Sequence, residues 1–188
     1  KRIVIKPSWQ DYNANFDDVV IEIDPGMAFG TGTHPTTALC ISMIEKYIRR
    51  YDNFLDIGTG SGILMIVAAK LGAQKIWGID NDEVAIDIAQ KNLLLNGIEK
   101  KTFKVMSGNL TDKVNESFDI VAANILTETI MTLLDHIKSV LKKKSVFICS
   151  GIIDKNKDKV VEKMVASGFE IANVQKQEEW VSIVGILS

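Results

Sequence analysis

Residues 54–62 read Phe54-Leu55-Asp56-Ile57-Gly58-Thr59-Gly60-Ser61-Gly62, a short apolar strand that breaks into an acidic residue and three alternating glycines. A strand feeding such a turn and then a helix brings backbone N–H groups and the positive end of a helix dipole against an anionic part of a ligand. Glycine suits the turn because a Cβ would hold the ligand off. A dinucleotide fingerprint, G-x-G-x-x-G, needs a third glycine at position 63 counted from Gly58, or at 65 counted from Gly60. Ile63 and Met65 stand there, so both registers fail. The bland alternative is a tight strand-to-helix turn of any α/β protein.

A second strand, Lys75-Ile76-Trp77-Gly78-Ile79, ends at Asp80, twenty residues after Gly60. An acidic residue at that point of a doubly wound fold reaches ribose hydroxyls; its structural alternative is to cap the next helix. Phosphate sites usually carry a lysine or arginine in or beside the glycine loop, and the first basic residue after this turn is Lys70, well into the following helix. The loop therefore suits a nucleoside without phosphates. S-adenosylmethionine meets that description: a ribose for Asp80, a carboxylate and ammonium for the turn Asp56, Gly58, Gly60 and Gly62, and a sulfonium that needs no cationic cradle. The Asp-x-Gly-x-Gly-x-Gly run with Asp80 resembles the class I S-adenosylmethionine-dependent methyltransferases.

Composition fits one catalytic domain. The 188 residues are 46% hydrophobic and 24% charged, with 22 basic and 24 acidic side chains giving a net charge of −2. No global field draws such a chain to nucleic acid. The basic runs Arg49-Arg50, Lys100-Lys101 and Lys142-Lys143-Lys144 fall near expected helix ends or in loops and read as solvated termini. Cys40 and Cys149 lie in apolar stretches and imply neither a disulfide framework nor a metal site, which suits a reducing cytoplasm. No signal peptide and no membrane-spanning apolar run is apparent.

Strands and helices alternate along the chain. Helices are expected over Thr36–Arg50, Ile63–Leu71, Asp82–Asn96, Leu126–Leu141 and Lys155–Ser167. Further strands are expected at Thr102–Met106, Phe118–Ala123, Ser145–Ser150, Phe169–Val174 and Trp180–Leu187, the last two as an antiparallel hairpin because no helix separates them. The pattern predicts an α/β, doubly wound, mostly parallel seven-stranded sheet with helices on both faces. Residues 1–18 read as a leading linker segment and 19–188 as the domain.

Two further segments carry information. Asp24 to Thr37 packs three glycines, two prolines and four threonines into fourteen residues just before the first helix, a shaped loop over the mouth of the nucleoside site. Phe29 is placed to lie against a cationic sulfonium or the adenine, and His34, beside Pro35, reads as a turn residue or N-cap rather than a base. Asn124-Ile125-Leu126 ends the fourth strand of the core sheet, where ligands of open α/β sheets bind. Together with the glycine turn, Asp80, Pro7-Ser8-Trp9 and Glu179-Trp180, these segments resemble the PrmA family, the bacterial methyltransferases of ribosomal protein L-eleven. The likeness spans nearly all of the chain. It implies methyl transfer from S-adenosylmethionine to lysine ε-amines and an N-terminal α-amine of a ribosomal large-subunit protein. Apart from the resemblance, no direct contact to nucleic acid or membrane is expected, and the sequence leaves the oligomeric state open with a monomer favoured. By position, Thr37, Gly58, Asp80 and Asn124 fall where such a family binds cofactor, and the loop residues Phe29 and Thr33 are expected to cover it. Family members carry an additional N-terminal recognition domain, which the reading expects to be absent from this chain.

Amine methylation is an in-line displacement by a neutral lone pair, so positioning dominates. A lysine with a pKa near ~10.4 is neutral only about one part in a thousand at neutral pH, a handicap of roughly 4 kcal/mol unless the site shifts it. The Asn124 side-chain oxygen is suited to accept the amine's hydrogen bond and aim its lone pair. Many amino-methyltransferases put Asn-Pro-Pro-Tyr here; Ile125 and Leu126 leave no aromatic for a base to stack on, which disfavours nucleic-acid methylation. A small-molecule or nucleic-acid methyltransferase of the same fold is the alternative, and a nucleoside-binding module or dehydrogenase a third.

Overall fold

The computed structural model describes residues 2–24, 26 and 32–188. Strands β3 (Asn53–Ile57), β4 (Lys75–Asp80), β5 (Phe103–Ser107), β6 (Phe118–Asn124), β7 (Leu141–Ile153), β8 (Phe169–Gln177) and β9 (Trp180–Leu187) form one sheet in the order β5-β4-β3-β6-β7-β9-β8. The first five pair in parallel, and β9 lies antiparallel between β7 and β8. This is the expected seven-stranded, mostly parallel sheet with its C-terminal hairpin.

Helices α1 (Pro35–Tyr47), α2 (Ile63–Lys70), α3 (Glu83–Leu95), α4 (Thr127–Leu133) and α5 (Lys157–Ala166) connect the strands. The strands alternate their side chains between two apolar layers, as a buried pleated sheet requires. Phe54, Ile76 and Ile148 pack with Met43, Ile44, Leu64 and Leu93 from α1, α2 and α3. Leu55, Trp77 and Phe147 pack with Ile130, Leu133, Val160 and Met164 from α4 and α5. Strand order reverses at β3, whose neighbours β4 and β6 lie on opposite sides of it, and a crevice opens at the carboxyl ends there.

Three local readings differ from the structure. The helix expected over Leu126–Leu141 is α4 plus a separate 3-10 turn, Ile137–Val140. Tight bonds from Asp135 N to Thr132 O and from His136 N to Leu133 O close α4 early. Strand β7 then begins at Leu141, so the lysine run 142–144 lies inside a strand, with Lys144 at φ 60 and Lys142 paired to Asp119 at 2.7 Å. Residues 1–18, read as a linker, contain β1 (Arg2–Pro7), which runs parallel to β2 (Asp18–Ile23) in register from Arg2↔Asp18 to Pro7↔Ile23. The apolar run Ile3-Val4-Ile5 was the available signal, too short to outweigh the polar stretch that follows.

Candidate active site

The glycine turn is built from its own backbone. Gly58 N and Thr59 N both donate to Ile79 O, at 2.8 and 3.1 Å, and Gly62 N donates to Thr59 O at 2.9 Å. Gly60 N donates to Asp80 Oδ2 at 2.8 Å, while Asp80 Oδ1 accepts from Asp82 N at 3.1 Å. The turn's amides are thus largely engaged within the protein, and what it offers a ligand is a fixed shape more than a row of open donors. Gly58 has φ 73, and a Cβ there would lie 2.4 Å from Ile125 Cγ2. Gly62 answers a different need: it caps α2 with φ 80, and a Cβ there would lie 3.1 Å from Ala89 Cα of α3.

Asp56 lies beneath this turn, fully buried on β3. Its Oδ2 accepts from Thr59 Oγ1 at 2.8 Å, and its Oδ1 has no hydrogen-bond partner. Burial first, and the nearby Asp80 charge second, push its carboxyl up to about 7, against the lowering effect of Thr59. Asp56 therefore shapes the turn from below.

Beside the turn is an open cavity walled by Gly58, Asp80, Asn81, Asn109, Leu110 and Ile125, with Ile57, Ile79, Gly108 and Thr129 completing it. Its lining holds one carboxylate, neutral amides and aliphatic surface, with no lysine or arginine. That donor set fits a nucleoside without phosphates: a carboxylate with lone pairs left for hydroxyls, and flat apolar walls for a purine. Asn109, Leu110 and Ile125 were not singled out by sequence as cofactor-side residues; nothing in their spacing marks the loop after β5.

The second half of the site is the corner where β6 ends. Asn124 Nδ2 donates to Thr37 Oγ1 at 3.4 Å, bringing together two residues 87 apart in the chain. Ile125 N donates to Ser150 O, and Ser150 Oγ donates to Thr36 O at 3.0 Å, which ties β6, β7 and the first turn of α1. Gly151 is required there, since a Cβ would lie 2.2 Å from Ile125 O. His34 is the N-cap of α1, its Nδ1 accepting from Thr36 N at 3.3 Å, and its ring meets Trp180 edge-on at 5.0 Å. The reading of His34 as an N-cap holds, and the hairpin residue Trp180 is carried to the same corner. Thr33 is exposed and lines an apolar hollow with Ile5, Pro7 and Trp9, not the cavity that Asp80 lines. Phe29 lies outside the described residues. Leu126 is exposed beside Asn124, and Glu128 is exposed on α4. Among the described residues no cluster of His, Cys, Asp or Glu could hold a metal ion, and no helix is long and apolar enough to cross a membrane.

The strand order, the glycine turn bonded to Asp80 and the switch-point crevice define the class I S-adenosylmethionine-dependent methyltransferase fold. Comparison with solved structures agrees: a precorrin-6y C5,15-methyltransferase from Geobacter metallireducens aligns at a TM-score of 0.68 and 16% identity over 83% of this chain and 89% of its own, a likeness of fold alone. A ribosomal protein L11 methylase from Lactobacillus delbrueckii subsp. bulgaricus aligns at a TM-score of 0.92 and 33% identity, covering 98% of this chain and 94% of that one. The family model described as ribosomal protein L11 methyltransferase (PrmA) matches residues 1–187. The chain belongs to this family, whose cofactor is S-adenosylmethionine. Curated relatives named ribosomal protein L11 methyltransferase include one from Alkaliphilus oremlandii, 50% identical over 97% of this chain and 58% of its own length. Another, from Clostridium perfringens, is 46% identical over 100% of this chain and 59% of its own. The chain thus spans about three fifths of the length of the curated relatives it matches.

Proposed function

We propose that the chain is an N-methyltransferase that uses S-adenosylmethionine to methylate lysine ε-amines and the N-terminal α-amine of a ribosomal large-subunit protein. The observation that carries this reading is the meeting of two unlike half-sites at one crevice, the Gly58–Asp80 cavity and the Asn124–Thr37 corner. Bound at the first, S-adenosylmethionine supplies a methyl group activated by the adjoining sulfonium. Asp80 holds ribose hydroxyls with lone pairs left over from its two backbone bonds, and Gly58 and Ile125 fix the wall beside them.

At the second half-site, the Asn124 Nδ2 bond to Thr37 turns the amide so that its oxygen is the acceptor presented to an incoming amine. Accepting one N–H there aims the nitrogen lone pair. Ile125 and exposed Leu126 offer apolar surface to a lysine stem, and desolvation on that surface favours the neutral amine that the displacement requires. The proton shed by the methylated nitrogen leaves to solvent. Cys40 and Cys149, both buried, have thiols pushed up by burial, Cys149 to about 12, which suits inert core thiols of a cytoplasmic protein. The enzyme acts in this reading as a monomer with no direct nucleic-acid contact.

The test is to incubate the purified chain with S-adenosylmethionine and the free ribosomal protein, then record that protein's intact mass. Whole-methyl increments, lost with Asn124→Ala, are the expected result. An unmodified acceptor with S-adenosylmethionine bound in the same tube would overturn the assignment of that acceptor to this chain.

A further inference from the structure

The Asp24–Thr37 segment and the glycine turn are far apart in sequence, and one buried side chain touches both. Asn92 on α3 is 1% exposed. Its Nδ2 donates to Ser61 O inside the turn at 2.9 Å, and its Oδ1 accepts from Asp24 N at 3.0 Å. Asn96, one helical turn on, holds Glu22 inside β2 and never reaches the glycine turn: its Oδ1 accepts from Glu22 N at 2.9 Å, and its Nδ2 donates to Glu22 O at 2.7 Å and to Asn92 O at 2.8 Å.

The rest of that helix face is aligned with them. Ile88, Asn92 and Asn96 recur every four residues and lie on one stripe of α3. Ile88 packs against Gly26, whose added Cβ would lie 3.3 Å from Ile88 Cδ1, and Ala89 packs against Gly62. At its other end α3 is tied to the ribose-side acid, because Asp80 accepts from Asp82 N and Asp82 caps the helix through Val84 N. A buried asparagine is an expensive choice for holding helix to strand, since apolar packing achieves that without desolvating an amide. Its donor and acceptor are both spent, on two different parts of the site.

We infer that Asn92 is a positioning residue: it sets the start of the Asp24–Thr37 segment in register with the glycine turn, so that cofactor binding at the turn is felt at Asp24. The inference rests on the proposed use of S-adenosylmethionine at that turn. It acts through Ser61 and Asp24 and involves no contact of Asn92 with the reacting atoms.

Asn96 supplies the control, because it anchors β2 at Glu22, two residues before Asp24, and meets Asn92 only at its backbone O, with no bond to the glycine turn. In Asn92→Leu the dissociation constant for S-adenosylmethionine, read by calorimetry, is expected to rise about tenfold, the loss of one buried hydrogen-bonded link. In Asn96→Leu it is expected to change less than about twofold at a comparable loss of melting temperature. Hydrogen exchange gives a second readout: the Asp24 amide of the parent gains protection when S-adenosylmethionine is added, as it does in Asn96→Leu, and does not in Asn92→Leu. If Asn92→Leu fails to fold, Asn92→Ala, which removes both bonds with a smaller apolar side chain, takes its place. Equal weakening in both variants, or an Asp24 amide in the parent indifferent to cofactor, would overturn the inference. A parent that binds no S-adenosylmethionine at all would instead overturn the functional reading on which it stands.

Discussion

The two halves of the crevice are held with very different firmness. On the β3–β4 side the turn's Gly58, Thr59, Gly60 and Gly62 amides are all bonded within the protein, and both Asp80 oxygens are engaged. On the β6 side a single long bond of 3.4 Å joins Asn124 to Thr37. The nucleoside half is therefore formed before anything binds, and only its remaining lone pairs and its walls are left for the ligand. In the acceptor half the backbone is tied through Ser150 to Ile125 and Thr36, but the Asn124 side chain keeps slack, which suits a group that must receive an amine and release it methylated. Preorganisation lowers the cost of binding, whereas loosely held acceptors tighten on the reacting group.

Asn124→Ala attacks the loose half and carries the largest expected effect. Turnover should fall about 100-fold, the cost of a misplaced nucleophile, with cofactor affinity nearly unchanged. Methylation at the parent rate would show that the corner does not orient the amine. Asp80→Ala attacks the firm half: it removes charge-assisted bonds worth roughly 1.5 to 3 kcal/mol each and should weaken S-adenosylmethionine at least about tenfold. Unchanged affinity by calorimetry would end the ribose assignment.

Gly58→Ala probes why the firm half is firm. The new Cβ at φ 73, 2.4 Å from Ile125 Cγ2, has to displace the isoleucine that joins the two halves. A loss of about 1 to 3 kcal/mol in denaturant unfolding is expected, and parent-like stability would mean the two halves are not packed together as described.

Asp56 sharpens the contrast through pH. Its carboxyl is raised from an ordinary 3.8 to about 7 by burial. For an acid raised in the folded state, the stabilising contribution is complete below the unfolded value and is lost as pH climbs through the folded one. The parent should therefore lose stability between about pH 4 and pH 7, while Asp56→Asn flattens that slope. Identical pH profiles for the two proteins would contradict the buried, half-satisfied carboxyl.

The firm half was the legible one. Alternating glycines and an acid twenty residues later are local signals that placed the turn beside Asp80, whereas the turn's amides, expected to face a ligand, are bonded within the protein. Asn124 was legible as the end of a strand, but its partner Thr37 was not derivable from spacing, because 87 residues separate them. The hairpin's Trp180 reaching His34 is likewise long-range. Asn92 gave no warning at all: on a helical wheel it falls on the apolar face, where an asparagine looks like a substitution the core tolerates, and only the positions of Ser61 and Asp24 explain it. The break after Leu133 was missed because Leu, Ile and Val continue the helical period through Val140 while the backbone has already tightened.

The division of labour between the halves is tested most directly by single-turnover methylation at rising S-adenosylmethionine concentration with the Asp80→Ala and Asn124→Ala variants side by side. The account predicts that saturating cofactor restores most of the rate to Asp80→Ala and none of it to Asn124→Ala. Restoration of Asn124→Ala by cofactor, with Asp80→Ala left slow at saturation, would contradict it.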